Sequence, residues 1–132
     1  MTHSPSPLEG SAADRVAALT PENPYLSTER KPRLLIVGAG MMGREHLRVS
    51  QLLGWADVQG IVDPNGGSLE WACADWRLLT NAPLTIYRDL NEACGDEAVD
   101  AIVIATPNHT HRDVLHAVAS SHKPVLLEKP MA

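Results

Sequence analysis

The chain reads as a doubly wound α/β fold, a parallel sheet covered by helices on both faces. Three observations predict it. Short continuous apolar runs, Leu34-Leu35-Ile36-Val37 and Ala101-Ile102-Val103-Ile104 foremost, have the pattern of strands buried on both faces. Stretches with helical spacing separate these runs, as right-handed crossovers between parallel strands require. The first run stops abruptly at Gly38-Ala39-Gly40-Met41-Met42-Gly43, a glycine-rich turn that opens the first helical stretch.

In chain order, residues 1–32 hold five of the ten prolines among Ser, Thr, Glu and Asn, with no sustained periodicity. They read as a proline-rich flexible tail, in which Asp14 to Leu19 is at best a marginal helical turn. Leu34 to Val37 is the first strand. Met42, His46, Val49 and Leu53 recur at helical steps and share one face of a helix that ends near Gly54. Val58 to Val62 follows as the second strand, and Leu69, Cys73 and Trp76 form the inner face of a second helix, with Trp71 off that face. Leu84 to Tyr87 is a third strand, followed by a short polar helix after Leu90. Ala101 to Ile104 is the fourth strand, Thr110 to Ser121 a helix with Val114, Leu115 and Val118 inward, and Val125 to Leu127 the fifth strand. Residues 33–132 thus read as one α/β domain of five strands.

Composition narrows the function classes. The 132 residues are 44% apolar and 20% charged, which suits a globular chain. Eleven Lys and Arg against sixteen Asp and Glu give a net charge of −5, so no cationic field is available for a phosphate backbone or an anionic lipid surface. Neither nucleic acid nor membrane is expected as a partner. No apolar run approaches the roughly 20 residues of a membrane span, and no basic and apolar leader opens the chain. Cys73 and Cys94 lack the C-x-x-C spacing and read as small buried hydrophobes in a reducing compartment, so a cytoplasmic location is expected.

Ligands of such sheets bind at the carboxyl ends of the strands, where the winding reverses. There the glycine turn supplies a G-x-G-x-x-G: Gly38 for the tight turn, Gly40 for close approach of a pyrophosphate, Gly43 for close helix–strand packing. The helix that starts at Met41 and Met42 presents its free amides to that pyrophosphate. Asp63 ends the second strand twenty residues beyond Gly43, the separation expected of a carboxylate that accepts from an adenosine ribose. A 2′-phosphate about 4 Å from Asp63 would cost about 4 kcal/mol at an effective dielectric near 20. The following Pro64-Asn65-Gly66-Gly67 offers no cation to neutralise it, so NAD is favoured over NADP. His109-x-His111, with Asp113 near, lacks a third and fourth ligand cluster, and no metal site is expected.

The fourth strand runs into Thr106-Pro107-Asn108-His109-Thr110-His111 and the fifth into Glu128-Lys129-Pro130. With the glycine turn and Asp63, these strings resemble the Gfo/Idh/MocA oxidoreductases, the family of glucose-fructose oxidoreductase and inositol dehydrogenase, over Arg33 to Ala132. The resemblance implies a Rossmann-like domain that binds a nicotinamide dinucleotide, from an enzyme that moves a hydride between the cofactor and a sugar-like or cyclitol alcohol. It implies that Thr106, Pro107 and Asn108 lie against the nicotinamide ribose and that His111 stands near the cofactor. It also implies that Lys129 touches the reacting hydroxyl or carbonyl as catalytic residue, with Glu128 and Pro130 shaping the turn around it. A lysine can take the proton that leaves oxygen as hydride leaves carbon. Two departures from the family pattern follow. His122 stands where a helix-ending glycine is common, at a cost of about 1 kcal/mol if the cap is left-handed. The family's sixth strand and second domain, with its further catalytic residues, are not present in these 132 residues, so the chain by itself is expected to bind cofactor without turnover, and a homo-oligomer only together with that second domain. The contrasting expectation is a non-catalytic NAD sensor or docking module that pairs through its exposed fifth-strand edge.

Overall fold

The computed structural model describes residues 30–129. Strand β1 (Arg33–Val37) leads through the glycine turn to helix α1 (Met41–Leu53), β2 (Asp57–Val62), α2 (Gly66–Leu79) and β3 (Thr85–Ile86). Helix α3 (Leu90–Cys94), β4 (Ala101–Ile104), a 3-10 turn (Asn108–Thr110), α4 (His111–Ala119) and β5 (Val125–Leu127) complete the order. All strand pairs are parallel, and the sheet runs β3-β2-β1-β4-β5. The winding therefore reverses between β1 and β4, the position at which α/β sheets open a crevice.

Period-two alternation sorts the strand side chains into two cores. Leu35, Val37, Ile102 and Ile104 pack with Tyr87, Ala93 and Val118 on the α3/α4 face. Ile36, Val103 and Ile61 pack with Leu47, Ala72 and Trp76 on the α1/α2 face. Leu35, Ile36, Ile102 and Ile104 are almost wholly buried, which is why the runs Leu34 to Val37 and Ala101 to Ile104 carry no polar residue. At the opposite, amino end, Asp100 Oδ2 accepts from the Arg33 backbone N–H at 2.8 Å and from its guanidinium at 3.3 Å, tying the start of β1 to that of β4.

Several helix details depart from the spacing argument. In α1 the residues that pack inward are Gly43 and Leu47, whereas Met42 and Leu53 of the predicted face are 45% and 56% exposed. Gly43 carries no apolar signal, yet it governs which side of the helix meets the strand. In α2, Ala72 and Trp76 are buried, and Leu69 and Cys73 only partly so. Trp71 is 65% exposed and lies under the Arg44 guanidinium, 5.5 Å from its ring centre. In α4, Val118 is buried and Val114 packs against the same core, but Leu115 turns outward. Strand β3 shrinks to two residues, and Tyr87, directly after it, buries its ring and donates to Asp96 at 2.6 Å. Both cysteines are free thiols, partly rather than fully buried. The tail, apart from residues 30–32, and Pro130 lie outside the described residues. Among the described residues no helix is long and apolar enough to cross a membrane.

Candidate dinucleotide site

Backbone ladder bonds align the carboxyl ends of the strands. Gly38 N–H donates to Val62 O (2.9 Å), Ala105 N–H to Val37 O (2.8 Å), Tyr87 N–H to Ile61 O (3.0 Å) and Glu128 N–H to Ile104 O (3.0 Å). The loops that leave this edge enclose a cavity of about 560 Å³. Gly38, Gly40, Met41 and Met42 line one wall; Asp63, Pro64, Asn65 and Ser68 line the second; Ala105, Thr106, Pro107, Thr110 and Val114 close the third.

The three glycines have separable reasons. Gly38 adopts φ +106°, and a Cβ there would lie 2.8 Å from the Ala105 carbonyl. A Cβ on Gly43 would lie 1.8 Å from Gly38 O, so α1 can meet the turn only through glycine. A Cβ on Gly40 would meet nothing within 4 Å, which leaves its position as open space in the cradle. Gly40 also caps α1 without a side-chain bond. By contrast Asn65 Oδ1 caps α2 at Ser68 N–H and Asp89 Oδ1 caps α3 at Glu92 N–H. The first-turn amides of α1 are thus left to the cavity, where the helix dipole favours an anion.

Asp63 does more than end a strand. Its Oδ2 accepts from Ala39 N–H and its Oδ1 from Asn65 N–H, both at 2.7 Å. The carboxylate therefore ties the glycine turn to the β2 loop, and each oxygen retains a second acceptor position for a hydroxyl. On the third wall, the Thr110 hydroxyl lies 2.6 Å from Pro107 O and 2.7 Å from Thr106 Oγ1. His111 is buried to 2% exposure, and its Nε2 donates to Thr106 O at 2.8 Å. It holds the turn from behind and does not line the cavity. Asn108, Glu128 and Lys129 also stand outside the cavity lining, and Lys129 is exposed. Glu128 bonds His46 Nε2 of α1 at 2.5 Å. Among the described residues no group of three or more His, Cys, Asp or Glu is arranged to hold a metal ion.

Pro64, Asn65, Ser68, Ala105, Thr110 and Val114 line the cavity without having been expected as site residues from the sequence. Asn65 and Ser68 could have been found as a capping pair, and Thr110 by its place directly after the Thr106 turn. The His46–Glu128 bond joins residues 82 apart and leaves no trace in local spacing.

A parallel sheet wound 3-2-1-4-5, with an uncapped helix over a glycine cradle at its reversal point, defines a dinucleotide-binding domain. Residues 32–132 match the family model described as the oxidoreductase family, NAD-binding Rossmann fold, and the chain belongs to that Gfo/Idh/MocA family. It is 34% identical over 101 residues to inositol 2-dehydrogenase 1 of Saccharopolyspora erythraea, covering 76% of this chain and 29% of that one. An NAD-binding protein from Listeria innocua superposes with a TM-score of 0.67 at 32% identity, covering 78% of this chain and 28% of that one. The WlbA dehydrogenase of Bordetella pertussis, solved with NADH and UDP-GlcNAcA, superposes at 0.65 with 30% identity, covering 78% and 30%. The chain thus spans about 30% of the length of these relatives.

Proposed function

We propose that the chain is the cofactor-binding part of a cytoplasmic oxidoreductase that transfers a hydride between NAD and a sugar-like or cyclitol alcohol. The observation that carries the reading is the cavity between the glycine turn, Asp63 and the Thr106-Pro107 turn. Residues 33–132 are the dinucleotide domain and residues 1–32 a tail that takes no part in the chemistry. Gly38 and Gly40 admit the pyrophosphate to the α1 amides, with Gly43 holding α1 close, and Met41 and Met42 flank it. Asp63 accepts from the adenosine ribose; Thr106, Pro107 and Asn108 form the nicotinamide side, backed by His111. Lys129, between Glu128 and Pro130, exchanges the proton of the substrate hydroxyl. The bound nicotinamide would supply the hydride chemistry. Two relatives support the substrate class, since one is named for inositol and the other was solved with a sugar nucleotide.

Titration of the 132-residue chain with NADH and NADPH tests the cofactor assignment. NADH binds at least about tenfold more tightly, because a 2′-phosphate must approach Asp63. Equal or tighter binding of NADPH overturns it.

A further inference from the structure

The sheet alone does not determine where Lys129 goes. Strand β5 is three residues long, sits at the sheet edge with β4 as its one neighbour, and leaves Leu126 56% exposed. Its last ladder bond, Glu128 N–H to Ile104 O, stops one residue short of Lys129. The tie that follows is made by side chains. His46, one turn beyond Gly43 on α1, bonds the Glu128 carboxylate, and the two side chains are only 21% and 26% exposed. A hydrogen bond to a carboxylate in a partly dry setting is stronger and more directional than a surface contact. It joins the helix that opens at the phosphate cradle to the residue next to the lysine.

We infer that His46 is a positioning residue: through Glu128 it holds Lys129 in register with a cofactor seated on α1. The inference rests on the reading of Lys129 given above. Because α1 carries both the cradle and His46, the position of Lys129 is referred to the same rigid element that receives the dinucleotide, and not to the short edge strand from which the lysine departs.

The test is acetylation of lysines in the full 132-residue chain by an N-hydroxysuccinimide ester, mapped by peptide mass spectrometry with and without saturating NAD. Lys31, at the far end of β1, serves as the internal reference. In the unaltered chain NAD slows acetylation of Lys129 by about fivefold, and His46→Ala abolishes most of that protection, on the scale of one lost hydrogen bond. His46→Gln, which keeps a donor, restores it, and NAD affinity measured by calorimetry is followed in each variant. Equal protection in the unaltered chain and in His46→Ala overturns the inference and leaves the reading of Lys129 standing. No protection in an unaltered chain that binds NAD overturns both. Should His46→Ala fail to fold, Glu128→Ala breaks the same bond from the other side, and retained protection there overturns the inference equally.

Discussion

Gly40 and Gly43 are three residues apart, yet substitution separates them by mechanism. A Cβ on Gly43 must displace the Gly38 carbonyl 1.8 Å away, which is backbone and cannot yield. Gly43→Ala is expected to cost about 3 kcal/mol or more, read as a lower urea midpoint. A Cβ on Gly40 meets open space, so Gly40→Ala should change stability by less than about 1 kcal/mol while weakening NAD binding by calorimetry, because the methyl occupies the cradle. His122 is the one non-glycine with positive φ among the described residues, at +57°. His122→Gly should therefore raise stability by about 1 kcal/mol, measured by the same denaturation. The strain at this position was legible through the resemblance, which puts a helix-ending glycine where His122 stands. The exposed Leu115 was not, since a helix of nine residues has few turns over which spacing can define a face.

At the scale of elements, the segments that follow β3 and α3 are held together by Tyr87 and Asp96. Burial and the Asp96 hydrogen bond raise the phenol from its usual 10 to about 12. The fold stabilises the protonated phenol, so this contribution is full below pH 10 and is lost as the pH rises towards 12. The Asp96 carboxyl is held below its ordinary value, first by the Tyr87 hydroxyl and then by the Ala98 amide. Its contribution is present above the ordinary carboxylate value of about 4 and is lost as acid takes the pH down through the lowered one. Tyr87→Phe should flatten the alkaline limb of melting temperature against pH and weaken the acid limb. Unchanged limbs would show that the hydroxyl carries neither. Elements β1 and β4 were readable because buried strands admit only apolar residues, and β5 shows the same apolar run although it is an edge strand only partly buried. The length of β3 was not, since Tyr87 fits a strand pattern as well as it fits the end of one.

For the whole molecule, the expected behaviour is cofactor binding without turnover. The chain spans about 30% of its relatives' length, and Lys129 is exposed to water, whereas the proton exchange proposed for it would need a closed pocket. Incubation with NAD and inositol or a UDP-sugar should leave absorbance at the NADH band flat. A robust substrate-dependent rise would place a sufficient catalytic site within these 132 residues. If the same chain is extended to the length of its relatives and gains turnover, Lys129→Ala should abolish it and leave cofactor affinity nearly unchanged.

The sequence by itself determined the parallel α/β class, the glycine turn, the placement of Asp63 at the end of the second strand and the family strings at the ends of β4 and β5. Each is carried by local pattern, where period, turn chemistry and spacing suffice. Only the tertiary structure decided that Asp63 clasps Ala39 and that His46 reaches Glu128. These bonds depend on the order in which strands are laid side by side. Residues distant in the chain meet only once β1 is placed between β2 and β4, and no local periodicity encodes that neighbourhood.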